Sequence, residues 1–142
     1  MIRLFLAIAA LIAFSGCSTF DREWRRAPAA GRDPLAGRWD GEWRSTKHAG
    51  ARGRLRSVIK RTDAKTYQAR FHANWLVFAS AYTLLLQTTP VSTGVRFQGK
   101  HDLGFLYGGM YTCEGTTRGG NFRATYRSAY DEGTFTMQSA KR

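Results

Sequence analysis

The sequence predicts an all-β domain, an antiparallel eight-stranded up-and-down barrel or a strongly curled meander, behind an N-terminal signal segment and a linker. Three observations predict it. From Gly37 onward apolar and polar residues alternate with a period of two, the pattern of strands with one buried and one wet face. Turn residues then interrupt the alternation at hairpin-length intervals. The composition agrees: 15 Gly and 13% aromatic residues against three Pro suit twisted strands joined by tight turns. With 43% apolar residues the chain is too apolar to be disordered, and 142 residues leave room for one modest domain.

The elements follow in order. Residues 1–16 read as a signal peptide: Arg3, the apolar run Leu4 to Phe14, then Ser15 and Gly16. The run is too short to span a bilayer core, which takes about 20 helical residues. Residues 17–36 carry Pro28, Pro34 and four Arg with no sustained period, and read as a solvated linker with room for one helical turn around Phe20 to Arg26. Trp24 beside Arg25 and Arg26 also suits a lipid headgroup layer.

Residues 37–142 form the predicted barrel domain. The strand spans are Arg38–Ser45, Arg54–Arg61, Thr66–Asn74, a stretch within Val77–Thr88, Val95–Leu103, Phe105–Glu114, Asn121–Ser128 and Thr134–Gln138. One face of each gathers the inward set. These are Trp39, Gly41 and Trp43, then Leu55, Ser57 and Ile59, then Tyr67, Ala69, Phe71 and Ala73. Tyr82, Leu84 and Leu86 follow, with Val95, Phe97 and Gly99 after them. Tyr107, Gly109, Tyr111 and Cys113 come next, then Phe122, Ala124 and Tyr126, and last Phe135 and Met137. Thr89-Pro90 through Gly94 is a predicted break, and Asp131-Glu132-Gly133 a hairpin loop. Asp40, Arg54, Arg56, Lys60 and Arg70 on the other face exclude a lipid-facing barrel.

Two resemblances add to this reading. Phe14-Ser15-Gly16-Cys17 resembles the lipobox of bacterial lipoproteins, with Phe14 where that box usually has Leu. The resemblance implies cleavage before Cys17, a lipidated Cys17 and anchoring by its acyl chains. Ser18 after the Cys then implies the outer membrane, facing the periplasm. Cys113 would be left without a partner and is expected to be buried and inert. Second, Gly37-Arg38-Trp39 is similar to the Gly-x-Trp that opens the barrel in lipocalins and related calycins. That resemblance implies that Trp39 closes one barrel end beneath a basic side chain, for which Arg127 is the nearest candidate.

The lumen is either mostly filled by its many inward aromatics or hollow, with a void lined by Tyr67, Phe71, Tyr107, Tyr111 and Tyr126. A hollow barrel would bind a small amphiphilic or apolar ligand, whereas a filled one would serve as a structural module contacting another envelope protein. Two surface sites are expected besides. The apolar turn containing Trp75, Leu76 and Phe78 could be a portal or a partner patch. Arg54, Arg56 and Lys60, in a stretch from Arg44 to Arg61 free of acids, could meet anionic envelope lipid. The net charge of +12 fits such targets, and an envelope location makes nucleic acid an improbable one. No nucleophile motif, phosphate loop or metal-ligand spacing is present, so no enzyme activity, metal or cofactor is expected.

Overall fold

The computed structural model describes residues 19–75, 78–102, 104 and 109–141, with the backbone alone described for Trp75, Phe78 and Ala79. Eight antiparallel strands close into a barrel in sequence order. They are β1 (Gly37–Ser45), β2 (Arg52–Arg61), β3 (Thr66–Trp75), β4 (Phe78–Val91), β5 (Gly94–Asp102), β6 (Met110–Arg118), β7 (Asn121–Arg127) and β8 (Glu132–Ser139). β1 pairs with both β2 and β8, so no strand of the sheet is left as an outer edge. The alternation decides which side chains point inward. Trp39, Leu55, Ile59, Tyr67, Phe71, Leu84, Leu86, Phe97, Phe122, Phe135 and Met137 all join one buried core. Cys113 lies in the same core at 1% exposure, and burial pushes its thiol up to about 12, which leaves it unreactive.

The observed boundaries differ from the predicted ones in several places, and β8 takes in Glu132 and Gly133, which were expected in a hairpin loop. β6 runs from Met110 to Arg118, several residues later than expected. Gly109, expected inward on a strand, has φ of +67°, Gly104 has +82°, and the Gly109 N–H donates to the Gly104 carbonyl at 2.9 Å. β4 continues through Pro90, where a break was expected. Its pairing with β3 ends at Gln87, so Pro90 sits where β4 is laddered to β5 alone and the missing N–H costs little. Between β3 and β4, Trp75 pairs with Phe78, so the turn there is a two-residue hairpin.

Residues 19–36 are not a free linker: they lie on the barrel and bury Phe20, Ala27 and Leu35 against it. Residues 19–26 form a helix, α1, whose Phe20 and Trp24 fall four apart on one face. Phe20 is fully buried, stacked on His72 at 5.0 Å and clustered with Ala27 and Val58. The Arg56 guanidinium lies over both Phe20 and Trp24, at 5.1 and 5.3 Å, and pairs with Asp21 at 3.0 Å. Arg70 pairs with Glu23 at 3.0 Å. α1 therefore covers the outer face of β2 and β3.

The chain then passes under one end of the barrel and plugs it. Leu35 is fully buried beneath Trp39, whose indole N–H donates to the Leu35 carbonyl at 2.8 Å. Thr117 Oγ1 donates to the Pro34 carbonyl and Ser139 Oγ to that of Ala30. Trp39 closes this end with Phe122, 5.7 Å away. Arg127 is not its basic cover: it ends β7 at the opposite end of the barrel, exposed and paired with Glu132 at 3.1 Å. The plug segment supplies the cover instead.

Asp33 ties the plug together. Its carboxylate accepts the Leu35 and Ala36 amides, the Tyr67 hydroxyl at 2.9 Å and the Arg61 guanidinium. Burial alone would raise this carboxyl, but those donors outweigh it and hold it below its ordinary value of 3.8. Burial, and then the Asp33 carboxylate, push Tyr67 up to about 12. A carboxyl lowered by folding lends stability that is complete above its unfolded value and is lost as pH falls through the folded one. Urea midpoints should therefore drop as the pH falls below about 4, and Asp33→Asn should flatten that drop while lowering stability at pH 7. An unchanged acid profile in Asp33→Asn would contradict this role. The core and its plug close within residues 19–141, so this segment is expected to fold as one unit.

Candidate functional site

The other end of the barrel is not filled. A cavity of about 770 Å³ lies there, lined by Trp43, Ala73, Ser80, Tyr82, Thr83, Leu84, His101, Tyr111, Tyr126, Asp131 and Phe135. These come from the ends of β1, β3, β5, β7 and the starts of β4, β6 and β8, where the inward alternation reaches the barrel mouth. The lumen is thus both filled and hollow, in different halves. Leu35, Trp39, Phe97, Phe122 and Met137 pack the plugged half, and aromatic walls enclose the cavity in the other.

Five aromatic rings form a closed circuit around the lumen. Phe71 stacks on Tyr82 at 5.4 Å, Tyr82 meets Tyr111 edge-on at 5.7 Å, and Tyr111 lies parallel to Tyr126 at 6.2 Å. Tyr126 stacks on Phe135 at 4.8 Å, and Phe135 returns to Phe71 at 5.5 Å. Each contact fixes the next ring, so the wall is preorganised. Trp43 is held separately: its indole N–H reaches past β2 to the Asn74 carbonyl at 2.9 Å. Gly53 makes that reach possible, since a Cβ there would lie 1.7 Å from the Asn74 oxygen and 2.8 Å from the indole nitrogen.

The polar groups of the cavity are few and mostly satisfied. Tyr82 and Tyr111 share a hydrogen bond between hydroxyls at 3.3 Å. Tyr126 donates to Asp131 at 2.8 Å, and Asp131 also accepts from Ser45 Oγ and the Glu132 amide. Burial raises the Tyr82, Tyr111 and Tyr126 hydroxyls well above their ordinary range, helped at Tyr126 by the Asp131 carboxylate. All three are neutral phenols at physiological pH. The walls are thus apolar and aromatic, with hydroxyls, one engaged carboxylate and His101 at their margin.

Of the expected ligand residues, Tyr111 and Tyr126 line this cavity and Phe71 belongs to its ring circuit. Tyr67 does not: it sits in the plugged half, under Arg61 and bonded to Asp33. Tyr107 lies outside the described residues, as do Leu76 and Cys17. Trp75 and Phe78 occupy the β3–β4 hairpin at the cavity end of the barrel. The expected basic surface is largely engaged. Arg54 pairs with Asp40 at 2.7 Å, and Arg56 is spent on α1, leaving Lys60 exposed at the outer face of β2. The sequence reading missed Tyr82, Trp43, Phe135 and His101 as site residues, although the first three already stood in the inward set. What was missing was their height along the barrel axis, which only strand register supplies.

Comparison with protein-family models, with curated proteins and with solved structures finds no match for this chain. Its functional reading therefore rests on the cavity and on the sequence. Another groove, along Gln87, Arg96 and Glu114, lies on the outer barrel wall and is mixed in polarity. Among the described residues no group of three or more His, Cys, Asp or Glu side chains is placed to hold a metal ion.

Proposed function

We propose that this is a lipid-anchored protein of the bacterial cell envelope that binds a small amphiphilic or apolar ligand in its half-barrel cavity, without catalysis. The single observation that carries the ligand reading is the cavity itself, about 770 Å³ and walled by Trp43, Leu84, Phe135 and three neutral tyrosines. Small-molecule sites are typically apolar clefts of about 300–1,000 Å³ with a few placed polar groups, and this one fits that description. Apolar wall favours a hydrocarbon body through burial from water. The hydroxyl pair of Tyr82 and Tyr111 adds a neutral polar handle inside it.

The location rests on the sequence. The Phe14-Ser15-Gly16-Cys17 run supports lipidation at Cys17, and Ser18 supports an outer-membrane site facing the periplasm. Residue 19 already lies in α1, two residues after Cys17, so the anchor would hold the barrel close against the lipid surface. Metabolic palmitate labelling tests this part: Cys17→Ser should lose both the label and membrane association, and persistent labelling would contradict the anchor. For the cavity, titration with cis-parinaric acid and with decanol should give saturable, one-to-one binding of at least one of them. Absence of saturable binding by either would count against the reading.

A further inference from the structure

The barrel wall opens on one side of the cavity. The β4–β5 ladder ends at Leu86 opposite Gly99, yet both strands continue beyond it. β4 extends back to Phe78, laddered to β3, and β5 extends to Asp102, laddered to β6. Had the β4–β5 register continued, Leu84 would lie opposite His101 and Thr83 opposite Asp102. Instead Leu84, Thr83 and His101 all line the cavity, so the cavity reaches between two strands that should be paired. Among the described residues, each strand there presents an edge without its neighbour's ladder, a feature proteins normally avoid.

The chemistry of the gap is asymmetric. On its cavity side stand Leu84 and the aromatic circuit. On its outer side Leu85 is 57% exposed and Lys100 is exposed on the β5 edge, while His101, also exposed, borders the cavity itself. The nearby Asp102 carboxylate accepts the Gly104 amide at 2.8 Å. At the barrel mouth the oxygens of Asp131 are already bonded to Tyr126, Ser45 and the Glu132 amide, and Lys47 and His48 are engaged by the Ala129 and Tyr130 carbonyls. A single-chain amphiphile with an anionic head can lie with its tail against the rings and its head at the gap, where Lys100 has no ion pair among the described residues. The overall charge of +12 draws such a ligand in.

We propose that the cavity is loaded sideways, through the gap between β4 and β5, and that a bound anionic amphiphile leaves its headgroup there beside Lys100 and His101. This inference rests on the cavity being a ligand site. A carboxylate and a phosphate head share the required chemistry. The test uses residues 19–142 carrying Thr83→Cys and Asp102→Cys, bridged by a short bis-maleimide, with Cys113 protected by its burial. Stopped-flow binding of cis-parinaric acid should slow about tenfold or more on bridging, the expected penalty for closing an access route. The same double-Cys variant left unbridged is the reference rate, so that any effect of the two substitutions themselves cancels. Separately, Lys100→Gln should weaken cis-parinaric acid about threefold, as for one exposed charge contact, and leave decanol unchanged. Loading that ignores the bridge overturns the sideways route, and equal effects on acid and alcohol overturn the headgroup site. Failure of the parent to bind either probe would instead remove the ligand reading beneath both.

Discussion

Ala73→Trp should abolish ligand binding without harming the fold. Ala73 points inward near the end of β3, opposite Leu55 on one side and Ser80 on the other, and it lines the cavity. An indole there would project into open space between Trp43 and Tyr82, which also line the cavity. It would occupy the volume a ligand needs, and an affinity loss of about 100-fold is the expected scale for losing roughly 3 kcal/mol of burial. Filling a void in an otherwise packed barrel tends to hold or raise stability, so the melting temperature should not fall. Fluorescence titration of the variant against the parent reads the first outcome and thermal unfolding the second. A variant that binds normally would mean that ligand, if bound, lies elsewhere.

Trp39→Ala should have the largest effect on stability. Trp39 is 2% exposed, packs on Phe122 and bonds the Leu35 carbonyl, so it joins the core to the plug. Truncating a buried Trp costs about 3–5 kcal/mol, and here the Leu35 carbonyl also loses its donor. A domain of this size should then melt roughly 10–20 °C lower. The cavity lies at the other end, so the surviving folded fraction should bind ligand with near-parent affinity. Urea denaturation gives the stability loss directly. A loss under about 1 kcal/mol would show that Trp39 does not hold the plugged end, since that is the scale of surface substitutions.

Much of the fold was legible because period-two alternation is a local signal. Every inward residue expected on β1, β2, β3, β5, β7 and β8 points inward, from Trp39 to Met137. The β6 boundary was harder, because in the sequence Tyr107 and Gly109 continue the alternation ahead of Met110, where β6 begins. The packing of residues 19–36 was missed for a different reason. Phe20 and Trp24 carry a helical spacing, but their partner surface of Val58, His72 and Arg56 is assembled from the polar-patterned face of β2 and β3. Nothing in α1 alone names it. The candidate site divides the same way. Tyr111 and Tyr126 were recognisable as inward aromatics, yet so was Tyr67, and only the register separates the plugged half from the open one. The β4–β5 gap was invisible, since the residues on both sides of it keep a normal strand pattern.

The most direct measurement is native mass spectrometry of residues 19–142, exported to the periplasm and purified without detergent. The account predicts a defined additional mass that stays with the folded barrel, leaves on denaturation and is absent from Ala73→Trp. Fragmentation of that mass should identify an amphiphile with one hydrocarbon chain. A clean apo mass that persists after incubation with single-chain amphiphiles would contradict the account and turn attention to a protein partner.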